Sequence, residues 1–194
     1  QCPNTERYCT PEMISKFFAT LLKRTEHLIL CDSRCVDMVA SLSTTPQLDP
    51  TMEVQSFYLS EETSWRPTDY SRLGGMIQRN THMTRLHLCL RFHDAPSEMF
   101  ESLSNVTSLT DLKLWFPRYI RITVQDYQRI LSNLVAGEGD NGVVVRLLRY
   151  PPSRLKSLDL RGLRLRDRHF LAIAHLLPTS QVDTFRATRN MIQA

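Results

Sequence analysis

Apolar residues recur along this chain in short windows of the form LxxLxL, in which x is usually polar. The most regular window is Leu155-Lys-Ser-Leu158-Asp-Leu160. Five further windows place apolar residues at the same positions, the first of them more loosely, and they begin at Thr25, Val54, Met83, Leu109 and Val182. Because alternate side chains of a strand point to opposite faces, each window predicts a short β-strand with one apolar face.

The windows follow one another at a nearly constant period. Successive starts are 29, 29, 26, 46 and 27 residues apart, so four of the five intervals agree. The long interval returns to 28 if about 18 residues are inserted, and Ala136 to Ser153 has that length, with turn-forming Gly, Asn and Pro at its ends. We therefore predict repeats that start near 25, 54, 83, 109, 155 and 182, with a loop insertion at about 136–153.

Segments with helical spacing lie between the windows. In the last of them, Phe170, Leu171, Ala174 and Leu177 fall on one face of a helix, and Pro178 follows it. The predicted helices are Pro11 to Arg24, Cys35 to Leu42, Thr68 to Ile77, Pro96 to Leu103, Val124 to Val135 and Asp167 to Leu177. The predicted repeating unit is therefore strand, turn, helix, turn.

Such a unit cannot close a hydrophobic core alone, whereas stacked neighbours bury each other's apolar faces. We predict one domain over 1–194, an α/β solenoid whose parallel strands line the inner curve and whose helices lie outside, with 1–24 as an N-terminal helical flank. The sequence stops at Met191-Ile-Gln-Ala194, just after a predicted strand and without a polar capping unit. We expect the array to continue beyond 194, or another chain to cover this edge.

The strands and their period resemble the ribonuclease-inhibitor class of leucine-rich repeats over roughly residues 11 to 194. The resemblance implies an α/β horseshoe, with parallel strands on the concave face, helices on the convex face and protein ligands held on the concave face. The sequence departs from the family at the asparagine expected eight residues after the first leucine. Asn190 has it, whereas the other repeats have Ser33, Glu62, Arg91, Pro117 and Leu163.

The x positions of each window, and the residue after it, form the predicted concave face. They include Tyr58, Trp115 and Arg161, residue types that anchor protein interfaces. Taken singly, each is also compatible with an ordinary surface residue. The predicted partner-binding residues are Tyr58, Arg85, His87, Lys113, Trp115, Asp159, Arg161 and Arg186.

A basic segment from 146 to 168 is a second candidate surface. Its eight cations are opposed only by Asp159 and Asp167. Three interpretations stay open: a solvated arginine-rich edge, a site for an acidic protein, and a site for nucleic acid, although few aromatic residues accompany the cations. Apart from Arg161, the predicted basic patch consists of Arg146, Arg149, Arg154, Lys156, Arg164, Arg166 and Arg168.

Candidate chemistry is sparse. The motifs GxSxG, HExxH, GxxxxGK[ST] and GxGxxG are absent, so we expect neither an enzyme nor a cofactor. His27, Cys31 and Cys35 could be metal ligands, but without a CxxC knuckle or a fourth ligand we expect free thiols and no metal. The five cysteines are odd in number, which favours a reducing cytoplasmic or nuclear compartment, and no segment has the roughly 20 apolar residues of a membrane span.

Three functions are compatible with these patterns. The first is a scaffold that recognises a protein partner through the concave face, as part of a larger receptor or complex. The second is a structural subunit of a larger assembly, for example a ribonucleoprotein, contacted through residues 146–168. The third and least favoured is a regulator of small GTPases.

Overall fold

A computed structural model describes residues 26–30, 55–60, 65–92, 94–116, 123–135, 142–149 and 153–188. These residues form six strands: β1 (His27–Leu30), β2 (Ser56–Ser60), β3 (Arg85–Cys89), β4 (Asp111–Trp115), β5 (Ser157–Asp159) and β6 (Thr184–Arg186). They also form five α-helices: α1 (Pro67–Arg79), α2 (Ser97–Ser104), α3 (Val124–Leu134), α4 (Val143–Arg149) and α5 (Asp167–Ala174). A short 3₁₀-helix, Leu177–Thr179, follows α5.

The strands form one parallel sheet in the order β1-β2-β3-β4-β5-β6. Each predicted window overlaps one strand, and the α/β class with parallel strands is confirmed. The register also agrees with the sequence periods, because residues separated by those intervals pair across neighbouring strands. One such row is His27, Ser56, Arg85, Asp111, Ser157 and Thr184.

The fourth and sixth positions of the windows form the apolar face of the sheet. Leu86, Leu112 and Leu158 pair in one row and are at most 1% exposed, and Leu59, Leu88 and Leu114 form a parallel row that is fully buried. Both rows belong to a single hydrophobic core that also includes apolar residues of the helices. The repeating windows thus supply the inner wall of the core, as their period predicts.

Three of the predicted helices are close to the observed ones. Helix α1 begins at Pro67, where the fixed φ of proline suits the first turn, and the Asp69 carboxylate accepts a hydrogen bond from the Arg66 N–H at 3.1 Å. Helix α5 ends three residues earlier than predicted, and Pro178 lies in the 3₁₀-helix. The predicted helices Pro11 to Arg24 and Cys35 to Leu42, and the terminal residues 189–194, lie outside the described residues.

The prediction that 136–153 is a loop insertion is wrong for its central part, which forms helix α4. All five apolar residues of α4 are buried, and only Arg146 and Arg149 are exposed. The helix packs against α2 and also contacts α3 and α5. A short apolar run between turn-forming residues does not distinguish a buried helix from another element by its period alone, which explains the error. Helix α4 therefore enlarges the helical layer.

The turns after β3 and β5 share an unusual backbone feature. Phe92 and Arg164 both have positive φ, 57° and 48°, and each lies seven residues after the first residue of its strand. The repeat thus extends into the turn, although the expected asparagine is absent from both. Left-handed backbone is unfavourable for these residue types, so other contacts must stabilise it.

Two tyrosines supply such contacts. Tyr70 and Tyr127 are each the fourth residue of their helix, α1 and α3. The N–H of Phe92 donates to the Tyr70 hydroxyl at 3.2 Å, and the Tyr127 hydroxyl donates to the carbonyl of Leu163, the residue before Arg164. Burial, the largest influence on each, raises the pKa of both phenols well above the usual range. Neutral tyrosine hydroxyls thus hold two equivalent turns.

Candidate partner-binding face

The sheet has one face that no described element covers. The burial of β2 and β4 alternates strictly, with Phe57 and Leu59 buried and Ser56, Tyr58 and Ser60 partly exposed in β2. We call the partly exposed side the open face. Parallel sheets are usually covered on both faces, so a face without a covering element among the described residues is unusual.

Aromatic side chains lie at the middle of the open face. The rings of Tyr58 on β2 and Trp115 on β4 approach to 5.7 Å between centroids, although β3 lies between their strands. Tyr58 also meets the ring of His87 edge-on at 6.3 Å. The Lys113 ammonium lies 4.9 Å from the centre of the Trp115 ring, within the range of a cation–π interaction. These contacts fix three repeats to one another on their exposed side.

Asp159 is the charged centre of the neighbouring repeat. It is only 5% exposed, and its carboxylate accepts two-pronged hydrogen bonds from the Arg161 guanidinium at 2.7 to 3.0 Å and one from the Arg161 N–H at 3.1 Å. Lys113 approaches it to 3.9 Å. Burial by itself would raise the pKa of Asp159, but these partners outweigh burial and hold the pKa below its usual value. The same pair raises the pKa of Arg161.

A second acid pairs with a histidine on this face. The Nε2 atom of His87 lies 3.0 Å from an Asp111 carboxylate oxygen on the next strand. Asp111 was not among the predicted partner-binding residues. It occupies an x position in register with Arg85, whereas His87 is in register with Lys113, so the His87–Asp111 pair is diagonal and the repeat alignment alone does not indicate it.

The contacts join six of the eight predicted residues into one continuous network. Its members are Tyr58, His87, Lys113, Trp115, Asp159 and Arg161. The other two, Arg85 on β3 and Arg186 on β6, are exposed, and neither has an ion pair within the described part of the chain. The open face therefore combines a fixed centre with two exposed arginines beside it.

A shallow depression of about 240 Å³ lies at the β1–β3 end of the open face. Its rim includes Ile29, which is 68% exposed, and Tyr58, together with the charged or titratable groups of Arg85, His87 and Asp111. His27 and Ser56 also line it. A volume equal to several water molecules is enough for an amino-acid side chain but small for a cofactor.

The seven predicted basic-patch residues are all exposed, but they lie on several elements. Arg146 and Arg149 lie on α4, and Arg168 lies on α5. Arg154 and Lys156 precede β5, whereas Arg164 and Arg166 follow it, so the strand separates these two pairs. The patch is therefore divided between the two ends of β5 and the helical layer.

His169 lies beneath the basic residues at the start of α5 and is fully buried. Its Nδ1 atom accepts a hydrogen bond from the Arg166 N–H at 3.0 Å. A neutral imidazole accepts on one nitrogen only, so Nε2 carries the proton, and the Arg168 guanidinium 3.3 Å away is a close charge and not a donor. Burial, reinforced by Arg168 and Arg166, lowers the pKa of His169 to about 4.

Compared with models of known protein families and with curated proteins, the sequence gives no significant match.

Among the described residues, no group of three or more His, Cys, Asp or Glu side chains is placed to hold a metal ion. Of the sequence-based metal candidates, Cys31 and Cys35 lie outside the described part. None of the described helices is both long and apolar enough to cross a bilayer.

Proposed function

We propose that this chain is a leucine-rich-repeat array of the ribonuclease-inhibitor-like class and that it acts as a protein-interaction scaffold. The sheet is the concave face of a horseshoe, and the helices form its convex side. The support is the sequential parallel order of the strands, the period that matches their register, and the equivalent left-handed turns after β3 and β5. In this assignment, the Tyr70 and Tyr127 hydroxyls stabilise turns that contain an asparagine in regular repeats of the class.

One observation carries the functional part of the proposal: the continuous aromatic and ionic network on the uncovered face of the sheet. Tyrosine, tryptophan and arginine contribute most to protein interfaces. Side chains already held by ring contacts and hydrogen bonds lose little conformational entropy when a partner binds. Trp115, which contacts both Tyr58 and Lys113, is the expected centre of the interface.

The proposal is tested by comparing partners captured from a native extract by the wild-type chain and by variants. Trp115→Ala and Tyr58→Ala should each reduce the recovery of specific partners by about tenfold or more, the loss typical of a central interface residue. Leu171→Ala is the matched control, because Leu171 is 60% exposed on the helical side. Quantitative mass spectrometry measures the recovery, and thermal melting verifies that each variant is folded.

The proposal fails if both aromatic variants recover the same proteins in the same amounts as the wild type. A loss that is as large for Leu171→Ala would place the interface on the helical side instead.

The basic residues support a second candidate function, the contact with a larger, ribonucleoprotein-like assembly. The specific observation is that Arg164, Arg166 and Arg168 are exposed and lie close to one turn. The charges of Arg164 and Arg166 both act to lower the pKa of Tyr127, and those of Arg166 and Arg168 both lower the pKa of His169. Binding of a random RNA that weakens steeply with salt would favour this function. Absence of binding at low salt would remove it.

A further inference from the structure

The depression at the β1–β3 end of the open face has a charge pattern that indicates what fills it. Asp111 is the acid among its described lining residues, and His87 pairs with it. Arg85 also lines the depression, is exposed, and has no ion pair among the described residues. Within the described part of the chain, the site thus presents a guanidinium without an ion pair, in register with a carboxylate that is paired with His87.

An apolar wall stands next to this cation. Ile29 is the most exposed large hydrophobic residue of the described chain, at 68%, and it pairs in register with Tyr58. Exposed apolar surface beside an unpaired charge matches a ligand that has an apolar group and an anionic group close together. The depression holds about 240 Å³, which suits one or two amino-acid side chains.

We propose that the depression is the anchor site for an acidic segment of a protein partner. A carboxylate of the segment pairs with Arg85, and a neighbouring apolar side chain packs against Ile29 and Tyr58. This inference rests on the proposed function and specifies the partner chemistry of the same face. A guanidinium suits a carboxylate because its planar donors can form two parallel hydrogen bonds.

The charges across the rest of the face favour an acidic peptide over a nucleic acid. A nucleic-acid backbone carries a charge on every nucleotide and is matched by a stripe of cations. Here the strands between Arg85 on β3 and Arg186 on β6 carry the carboxylates of Asp111 and Asp159. The cations of Lys113 and Arg161 on this part of the face are paired with Asp159. Two separated arginines with paired charges between them suit a chain that has a few spaced carboxylates.

The test uses selection of peptides from a displayed library of random sequences against the full chain. The wild type should enrich peptides in which Asp or Glu lies next to or near an apolar residue. Arg85→Gln should weaken the binding of synthetic versions of these peptides by about tenfold, as expected when one charge-assisted hydrogen bond is lost. Arg85→Glu should shift the selected residue from acidic to Lys or Arg.

Arg79→Gln is the matched control, because Arg79 is an exposed arginine at the end of α1, on the helical side and outside the basic patch. It should leave both the motif and the affinity unchanged.

The outcomes separate this inference from the proposed function. Peptides without an acidic preference that still lose affinity in Trp115→Ala would overturn the anchor site and keep the scaffold. Peptides whose affinity is insensitive to Trp115→Ala and Tyr58→Ala, or failure to select any peptide, would overturn both. Binding of a random RNA that is lost in Arg85→Gln would assign the depression to nucleic acid and overturn the inference.

Discussion

The buried His169 makes the stability of the fold depend on pH in a way that can be measured. Its pKa is about 4 in the folded chain, against 6.5 for an unperturbed histidine. Above pH 6.5 the side chain is neutral in both the folded and the unfolded state, so pH has no effect through this group. Below pH 6.5 His169 binds a proton in the unfolded chain but stays neutral in the folded chain until the pH approaches 4. The free energy of unfolding therefore falls as the pH falls.

The size of the effect follows from the two pKa values. One pH unit between them corresponds to about 1.4 kcal/mol, so His169 should lower the free energy of unfolding by about 2 kcal/mol at pH 5 and about 3 kcal/mol at pH 4. The loss ends once the pH is below the folded pKa of about 4. The measurement at pH 5 is the cleaner one, because most carboxylates titrate at lower pH.

The informative variant is His169→Gln. His169 is the third residue of α5, and its Nδ1 atom accepts the N–H of Arg166. Glutamine at this position can accept the same hydrogen bond without titrating, as in a capping box. Urea unfolding at pH 7 and pH 5 should therefore show a loss of about 2 kcal/mol in the wild type that is absent in the variant.

His175→Gln is the control. His175 is exposed at the end of the same helix, so this change should keep the wild-type dependence on pH. If the wild type and His169→Gln lose the same free energy between pH 7 and pH 5, the histidine does not remain neutral in the folded chain and the reasoning is refuted.

Two further predictions concern the backbone and the inserted helix. A Cβ atom at Gly75 or Gly162 would meet no atom within 4 Å, but Gly162 has φ +75°. Gly75→Ala in α1 should therefore stabilise by up to about 1 kcal/mol, and Gly162→Ala should destabilise by about 1 to 2 kcal/mol, in thermal or urea unfolding; equal signs would contradict the assigned turn. Leu147→Ala should cost about 2 to 5 kcal/mol because Leu147 is only 4% exposed in α4, whereas a cost near zero would restore the loop interpretation.

The sheet could be predicted from the sequence because each strand repeats the same alternation of apolar and polar residues. Leu86, Leu112 and Leu158 occupy one apolar row, and a slip by one residue would expose all of them. The period and the alternation therefore agree on a single register. Helix α4 could not be predicted in this way, since Val143 to Leu148 is a short apolar run without a period of its own and interrupts the interval between two repeats.

The sequence predicts which residues lie on the candidate face, but it does not predict which of them are in contact. Alternation alone indicated that Tyr58, Lys113 and Asp159 share one side of the sheet. The approach of Trp115 to Tyr58 across an intervening strand depends on side-chain rotamers, which the sequence pattern does not encode. The roles of Tyr70 and Tyr127 depend on which helix position meets the following turn. The sequence does carry a shared signal for them, because residues 69–73 and 126–130 both have the pattern DYxR followed by an aliphatic residue.

Helix α4 has a consequence for how such an array can change. The interval between β4 and β5 is far longer than the others, yet Asp111, Leu112 and Lys113 pair with Ser157, Leu158 and Asp159 in the same register as elsewhere. The described part of these additional residues, α4, lies on the helical side. The chain behind the sheet can thus gain a helix while the register of the strands is preserved, so the outer layer could be rebuilt or fused to another protein without altering the geometry of the open face.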